Sequence, residues 1–261
     1  MTDAAALLTV YDAQLRLEST PPAVGWDGPL QRCVFPGHNG YVTYRDLAGL
    51  RGPALDQAIA RQVAFFAELG IAFEWKVRGH DEPADLVQRL TAAGFVPEPQ
   101  ESVIMGAVDD VLAGPAPTLP AEVTVRAVSS DDDLARIAAL EEQVWAEDRS
   151  WLAPSLAAER DRNPDALLVV IAEAAGEVVS AGWLRFEPGG EVASLWGGST
   201  LAPWRRRGLY RALVGYRAQR ARARGCRWLQ IDASDDSRPI LERLGLVTVT
   251  TTTPYIWTPA G

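Results

Sequence analysis

The chain has 261 residues, 34 acidic against 25 basic side chains, a net charge of -9 and 48% apolar residues. That balance excludes a disordered chain, and the negative charge speaks against nucleic-acid binding, which needs a positive field. No stretch approaches the ~20 apolar residues of a membrane span, so no membrane partner is expected. Met1 to Ala5 has no basic segment leading into an apolar core, so no secretory leader is expected. Cys33 and Cys226 are too few for a disulfide framework, and two histidines, His38 and His80, exclude a His-rich metal site. A cytoplasmic protein with reduced thiols and no bound metal is the resulting expectation.

In the first half, Leu55, Ile59, Val63 and Phe66 recur at helical spacing up to Gly70. Phe73-Glu74-Trp75-Lys76-Val77-Arg78 alternates apolar and charged residues, as a half-buried strand does. Asp81-Glu82-Pro83 predicts a helix start, with Asp81 as cap and Pro83 in the first turn, running to Gly94. An extended run from Glu101 to Val108 follows. Residues 115–120, within a Pro- and Gly-dense run that starts at Ala113, predict a linker between a domain over 1–114 and another over 121–261.

The second half predicts a strand at 123–128, helices near 131–145 and 155–160, and strands at 166–174, 178–186 and 192–200. Gly176 and Pro188-Gly189-Gly190 supply the hairpin turns. Leu209, Leu213 and Tyr216 then mark a helix ending at Gly225, followed by a strand at 226–231. The polar turn 232–237 leads into a short helix ending at Gly245, and a strand follows at 247–253. This order gives an α+β fold with a mixed sheet. Both halves read helix, Gly stop, strand, polar cap, short helix, Gly, strand, which points to an internal duplication.

Charge is concentrated at one place. Residues 205–227 hold nine arginines and no acid, which leaves 16 basic against 34 acidic residues, or -18, elsewhere. The later arginines read as a solvated helix face. The first ones stand between a strand ending near Thr200 and a helix starting near Gly208. A helix start leaves N–H groups unpaired and carries roughly half a positive charge. Arginines and a glycine beside it make a cradle for a diphosphate.

Arg205-Arg206-Arg207-Gly208-Leu209-Tyr210 resembles the (Arg/Gln)-x-x-Gly-x-(Gly/Ala) loop of GNAT acetyltransferases, which wraps the pyrophosphate of coenzyme A. The order of strands and helices over about 140 residues is similar to that family, and so is Leu244-Gly245-Leu246, ending the later helix. The resemblance implies an acyl-CoA N-acyltransferase (GNAT) fold and acetyl-CoA as co-substrate. It places Ser199, Thr200 and Leu201 along the pantetheine arm, and Arg205, Arg206, Arg207, Gly208, Leu209, Tyr210 and Arg211 around the pyrophosphate, with Ser237 also among the contacts. The expected reaction is acetyl transfer to a small amine by direct attack, aided by positioning and a backbone N–H for the oxyanion.

Two residues depart from the family pattern. Tyr210 stands where Gly or Ala is usual, and Leu241 where many relatives carry a Tyr that acts as general acid. Tyr255 is open to that role or to packing. Glu191, Asp232 and Asp235 are the carboxylates open to the role of base, although Asp235, Asp236 and Ser237 also read as helix caps. The catalytic residues thus stay unassigned, and a coenzyme A-binding module without catalysis is the alternative. In the first half, Arg51-Gly52-Pro53 occupies the place of the basic loop, and Pro donates no N–H. That half reads as a degenerate GNAT-like copy that walls the acceptor pocket. Two fused copies are compatible with a monomer.

Overall fold

A computed structural model describes residues 3–17, 23–35, 39–128 and 130–259; His38 lies outside them. The first half contains α1 (Ala4–Gln14), β1 (Ala23–Asp27), β2 (Leu30–Val34), β3 (Gly40–Thr43), α2 (Gly52–Leu69), β4 (Phe73–Arg78), α3 (Leu86–Ala92), β5 (Val96–Pro97), β6 (Glu101–Ala107) and α4 (Val108–Ala113). The second contains β7 (Val123–Ala127), α5 (Asp131–Trp145), α6 (Leu152–Arg162), β8 (Leu167–Ala174), β9 (Glu177–Phe186), β10 (Val192–Thr200), α7 (Leu209–Ala223), β11 (Trp228–Ala233), α8 (Arg238–Glu242) and β12 (Val247–Trp257). The α+β class, the mixed sheet and the element order of the second half are as expected. The unforeseen elements of the first half are α1, β1, β2, β3, β5 and α4.

All strands form one sheet in the order β1-β2-β3-β4-β12-β6-β11-β10-β9-β8-β7, with β5 added to β12. The parallel pair β3–β4 in the first half corresponds to the parallel pair β10–β11 in the second. Between the two pairs the halves exchange strands. β6 of the first half pairs along all of β11, and β12 of the second pairs with β4. β6 and β12 pair with each other at the centre. Residues 115–120 carry neither helix nor strand, yet the backbone ladder crosses the boundary there, so the halves are interlocked.

The alternation read from the sequence decides which face each helix covers. Phe73, Trp75 and Val77 of β4 face α2 and α3 in one core, with Phe66 stacked on Phe73 at 4.2 Å. α7, α4 and α8 cover the same side of the second half through Val214, Ala218, Val108 and Leu241. The opposite face carries α1, through Leu7 and Tyr11, and α5 and α6, through Leu134, Ile137 and Leu156. Gly40 lies so close to Phe66 that a Cβ would come within 2.1 Å of the ring.

One local expectation fails, and the surroundings of two further residues are decided. The helix expected from Asp81 begins at Leu86. Asp81 instead accepts hydrogen bonds from the Tyr44 hydroxyl (2.6 Å) and the Arg78 N–H (2.8 Å), and pairs with buried Arg16. Its charge ties α1 to β4 rather than capping a helix. Tyr255 is 7% exposed and packed in the first-half core, which removes it as an acid. Leu241 is fully buried, so a larger ring there would clash with its surroundings.

On the α1 side, Lys76 of β4 pairs with Asp232 of β11 at 2.8 Å, a link between the halves. Glu74 stands beside it with Oε1 unpaired, and burial raises its carboxyl above the ordinary value. The folded state therefore holds this proton more tightly than the unfolded chain. The stability gained is present at acid pH and lost as pH rises through the raised value. Glu74→Gln should raise the melting temperature at pH 7 and leave it unchanged below the ordinary carboxylate range, as followed by circular dichroism.

A fragment of residues 121–261 lacks β6 and should leave the adjoining edges of β11 and β12 unpaired. It is expected to melt without a cooperative transition, while the full chain melts cooperatively. Calorimetry on both checks this.

Candidate active site

β10 and β11 are hydrogen-bonded only from Val192 to Ser194 against Trp228 to Gln230. Beyond that point they part, and the backbone of β10 toward Thr200 is open on that side. Its other edge pairs with β9, but the register breaks between Trp196 and Ser199. Gly197 sits in this bulge at φ +61°, and a Cβ there would lie 1.9 Å from the Trp183 ring. No other residue type fits without displacing the indole. Gly197→Ala is expected to destabilise the protein by about 3 kcal/mol from overpacking and left-handed strain, read by urea unfolding.

Arg217 holds this bulge from below. It is 1% exposed inside α7, and its guanidinium donates to the carbonyls of Trp183 (3.0 Å) and Trp196 (3.1 Å) and to Leu213 (3.1 Å). Burial lowers its pKa to about 10. The arginine-rich helix is thus not wholly a solvated face: one of its guanidinium groups is a structural donor in the core.

The basic loop alternates backbone hand. Arg206 has φ +61° and Gly208, the N-cap of α7, has φ +86°. The first helical bond runs from the Ala212 N–H to the Gly208 carbonyl. Among the described residues, the N–H groups of Arg206 and of Gly208 to Arg211 make no hydrogen bond to a protein acceptor. Successive free amides at a helix start, with Arg205, Arg206 and Arg207 all exposed, form a concave anion site. A Cβ on Gly208 would come within 3.1 Å of Pro117, so residues 115–120 back the loop, and Arg211 reaches the Pro115 carbonyl at 3.4 Å.

A cavity of about 890 Å³ opens from this loop into the gap beside β10. Its wall brings together Ser199, Thr200, Arg205, Arg206, Gly208, Leu209, Tyr210, Arg211 and Ser237. Two expected residues are elsewhere. Leu201 gives its N–H to the Val179 carbonyl at 3.0 Å, and Arg207 lies over the Trp204 ring, 5.0 Å from its centroid. The pairing of Leu201 with a ligand is therefore corrected, because its donor is spent in the sheet.

Tyr210 is the tyrosine in the wall. A Cβ on Gly198 would come within 2.7 Å of its ring, so the large side chain on α7 is matched by the absence of one on β10. Burial raises the phenol pKa, countered in part by Arg217 and Ser237. Ser237 occupies the N-cap position of α8 without capping it; its hydroxyl bonds back to the Ser234 carbonyl at 3.2 Å. Of the carboxylates, Glu191 pairs with Arg227, Asp235 with Arg238 and Asp232 with Lys76. None of the three lines this cavity.

Sequence reasoning missed Val144, Trp145, Trp204 and Arg243 in the wall. Behind Trp145, one helical turn back on α5, lies Glu141, 4% exposed. The Trp145 indole N–H reaches both the Glu141 Oε2 (2.8 Å) and the Ser199 Oγ (2.9 Å). The i, i+4 spacing of Glu141 and Trp145 was legible, but which strand they meet was not.

No group of three or more metal-ligating side chains occurs among the described residues, and no described helix is long and apolar enough to cross a membrane.

Residues 133–246 match the family model of the acetyltransferase (GNAT) family. The match ends before β12, the strand handed to the first half. No curated protein sequence matches the chain. Among solved structures, a GCN5-related N-acetyltransferase from Kribbella flavida superposes with a TM-score of 0.67 at 19% identity, covering 100% of this chain and 97% of that one. A tandem GNAT protein from the clavulanic acid biosynthesis pathway gives 0.65 at 15% identity, covering 89% and 79%. A GCN5-related N-acetyltransferase from Sphaerobacter thermophilus gives 0.61 at 16%, covering 88% and 76%. These likenesses establish the fold, including its extension over the first half.

Proposed function

We propose that this chain, whose carboxy-terminal half is a domain of the GNAT acetyltransferase family and whose first half carries the same fold, moves an acetyl group from acetyl-CoA to the amine of a small acceptor. The observation that carries the reading is the set of N–H groups of Arg206 and of Gly208 to Arg211, unpaired among the described residues and opening into the gap between β10 and β11. A diphosphate satisfies donors that otherwise have only water, and the open edge of β10 suits an amide-bearing arm. The cavity has the size for such a ligand.

Acetyl-CoA supplies the activated acetyl thioester. The protein's own residues bind and orient it. Arg205, Arg206 and Arg211 with the backbone of Gly208 to Tyr210 grip phosphate. The open N–H groups of β10 near the bulge direct the acyl oxygen and favour the negative charge that develops there. A phenol is protonated at neutral pH, and burial raises the Tyr210 pKa further, so it holds a proton to return to the departing sulfur. It thereby takes the part that Leu241 and Tyr255 cannot play. The opposite, α1-side face, where Lys76, Asp232 and Arg78 line a smaller cavity, is the side from which the amine enters, and the first half supplies part of its wall.

Arg205→Ala and Gly208→Glu should each weaken coenzyme A binding at least tenfold, roughly 1.4 kcal/mol, measured by calorimetry on folded variants. Unchanged affinity would remove the site assignment. Release of thiol from acetyl-CoA over a panel of amines separates the enzyme from a coenzyme A-binding module without turnover.

A further inference from the structure

Glu141 is a carboxylate that the fold does not need. It is 4% exposed, one turn from the end of α5, and its Oε1 finds no hydrogen-bond partner. The other oxygen accepts the Trp145 indole N–H at 2.8 Å. Leaving one oxygen of a buried carboxyl unpaired costs stability, and a leucine or glutamine would serve packing better.

Its surroundings give it an outlet. The same indole N–H lies 2.9 Å from the Ser199 Oγ, so the Glu141 carboxyl and the Ser199 hydroxyl meet at one donor. Ser199 is the first residue of β10 back in register after the bulge and lines the large cavity. Burial raises the Glu141 carboxyl; Ser199, Trp145 and the charge of Arg149, in the loop after α5, oppose that shift. No other charged group acts on it strongly, and from β10 it meets a neutral hydroxyl.

We propose that Glu141 is the proton acceptor of the transfer, acting through Ser199. The inference rests on the acetyl-transfer reading. As the amine nitrogen bonds to the acetyl carbon, the C–S bond breaks and sulfur keeps its electron pair. The nitrogen gives a proton to the Ser199 Oγ while the Ser199 hydroxyl proton passes to the Glu141 carboxylate, with which that hydroxyl interacts. Tyr210 then protonates the sulfur, and Glu141 and Tyr210 return to their starting states by exchange with water. Glu141 does not line the cavity, so it is a positioning and relay residue rather than one that touches the substrate.

Three measurements on the full-length protein test this. Calorimetry with coenzyme A reports the cofactor reading by itself. Thermal melts report folding. Thiol release from acetyl-CoA with ethanolamine, putrescine, glycine methyl ester and glucosamine, from pH 5.5 to 9, reports the relay. Glu141→Gln keeps the acceptor for the Trp145 N–H but cannot take a proton. It should bind coenzyme A within twofold of the parent, melt no lower at pH 7, and turn over at least tenfold more slowly without the acid limb that belongs to the carboxylate. Ser199→Ala should lose turnover to the same degree, and the double variant no further.

Turnover and a pH profile unchanged in Glu141→Gln would overturn the relay while leaving the cofactor reading intact. So would a large fall in melting temperature, since it would mark a structural carboxylate. A parent protein that binds coenzyme A but acetylates none of the amines also counts against the relay. Absent coenzyme A binding in the parent defeats the underlying reading instead.

Discussion

Backbone amides inside a sheet must be paired, and this sheet parts between β10 and β11. β11 shares only Val192–Ser194 of β10 before the strands diverge, so its other edge has to carry the ladder. β6 meets that need along Trp228–Ala233. Because β6 belongs to the first half, the gap that admits a ligand is held open by a strand from elsewhere in the chain. β12 repays the exchange by pairing with β4. The site is thus a consequence of the interlock, and neither half holds the arrangement alone.

Around that gap the polar groups fall into two kinds. Arg217 and Asp81 are buried and fully engaged, one holding the bulge carbonyls and the other tying α1 to β4. They fix geometry. Among the described residues, the N–H groups of Arg206 and of Gly208 to Arg211 and the Oε1 of Glu141 are left without protein partners. The loop amides are met by water and the buried Glu141 oxygen is costly to leave unpaired; both mark where a ligand or a proton is to be received. The division separates scaffold from chemistry without reference to any relative.

The two halves share a fold but have diverged in what their equivalent loops offer. In the second half, the loop before α7 ends in a glycine N-cap flanked by free amides and exposed arginines. In the first, α2 begins at Gly52-Pro53 after Arg51, with a proline in the first turn. The cavity there, lined by Arg45, Arg51, His80 and Asp12, has its histidine occupied by Thr250 and Asp12. The first half acts by lending strands and Lys76, and fold alone would not have told the two apart.

The sequence determined the local features: helix and strand order in the second half, the turn glycines, the basic loop and the helix start behind it. Those follow from periodicity, from φ requirements and from charge carried by neighbouring residues, all of which act over a few positions. It also marked the anomalies at 210 and 241. Only the tertiary structure decided how they resolve, bringing Tyr210 against Gly198 and burying Leu241 and Tyr255. The exchange of β6 and β12, the burial of Arg217 and the meeting of Glu141 with Ser199 were hidden for one reason. Each depends on partners from 21 to 184 positions away along the chain, and contacts of that range leave no periodic trace.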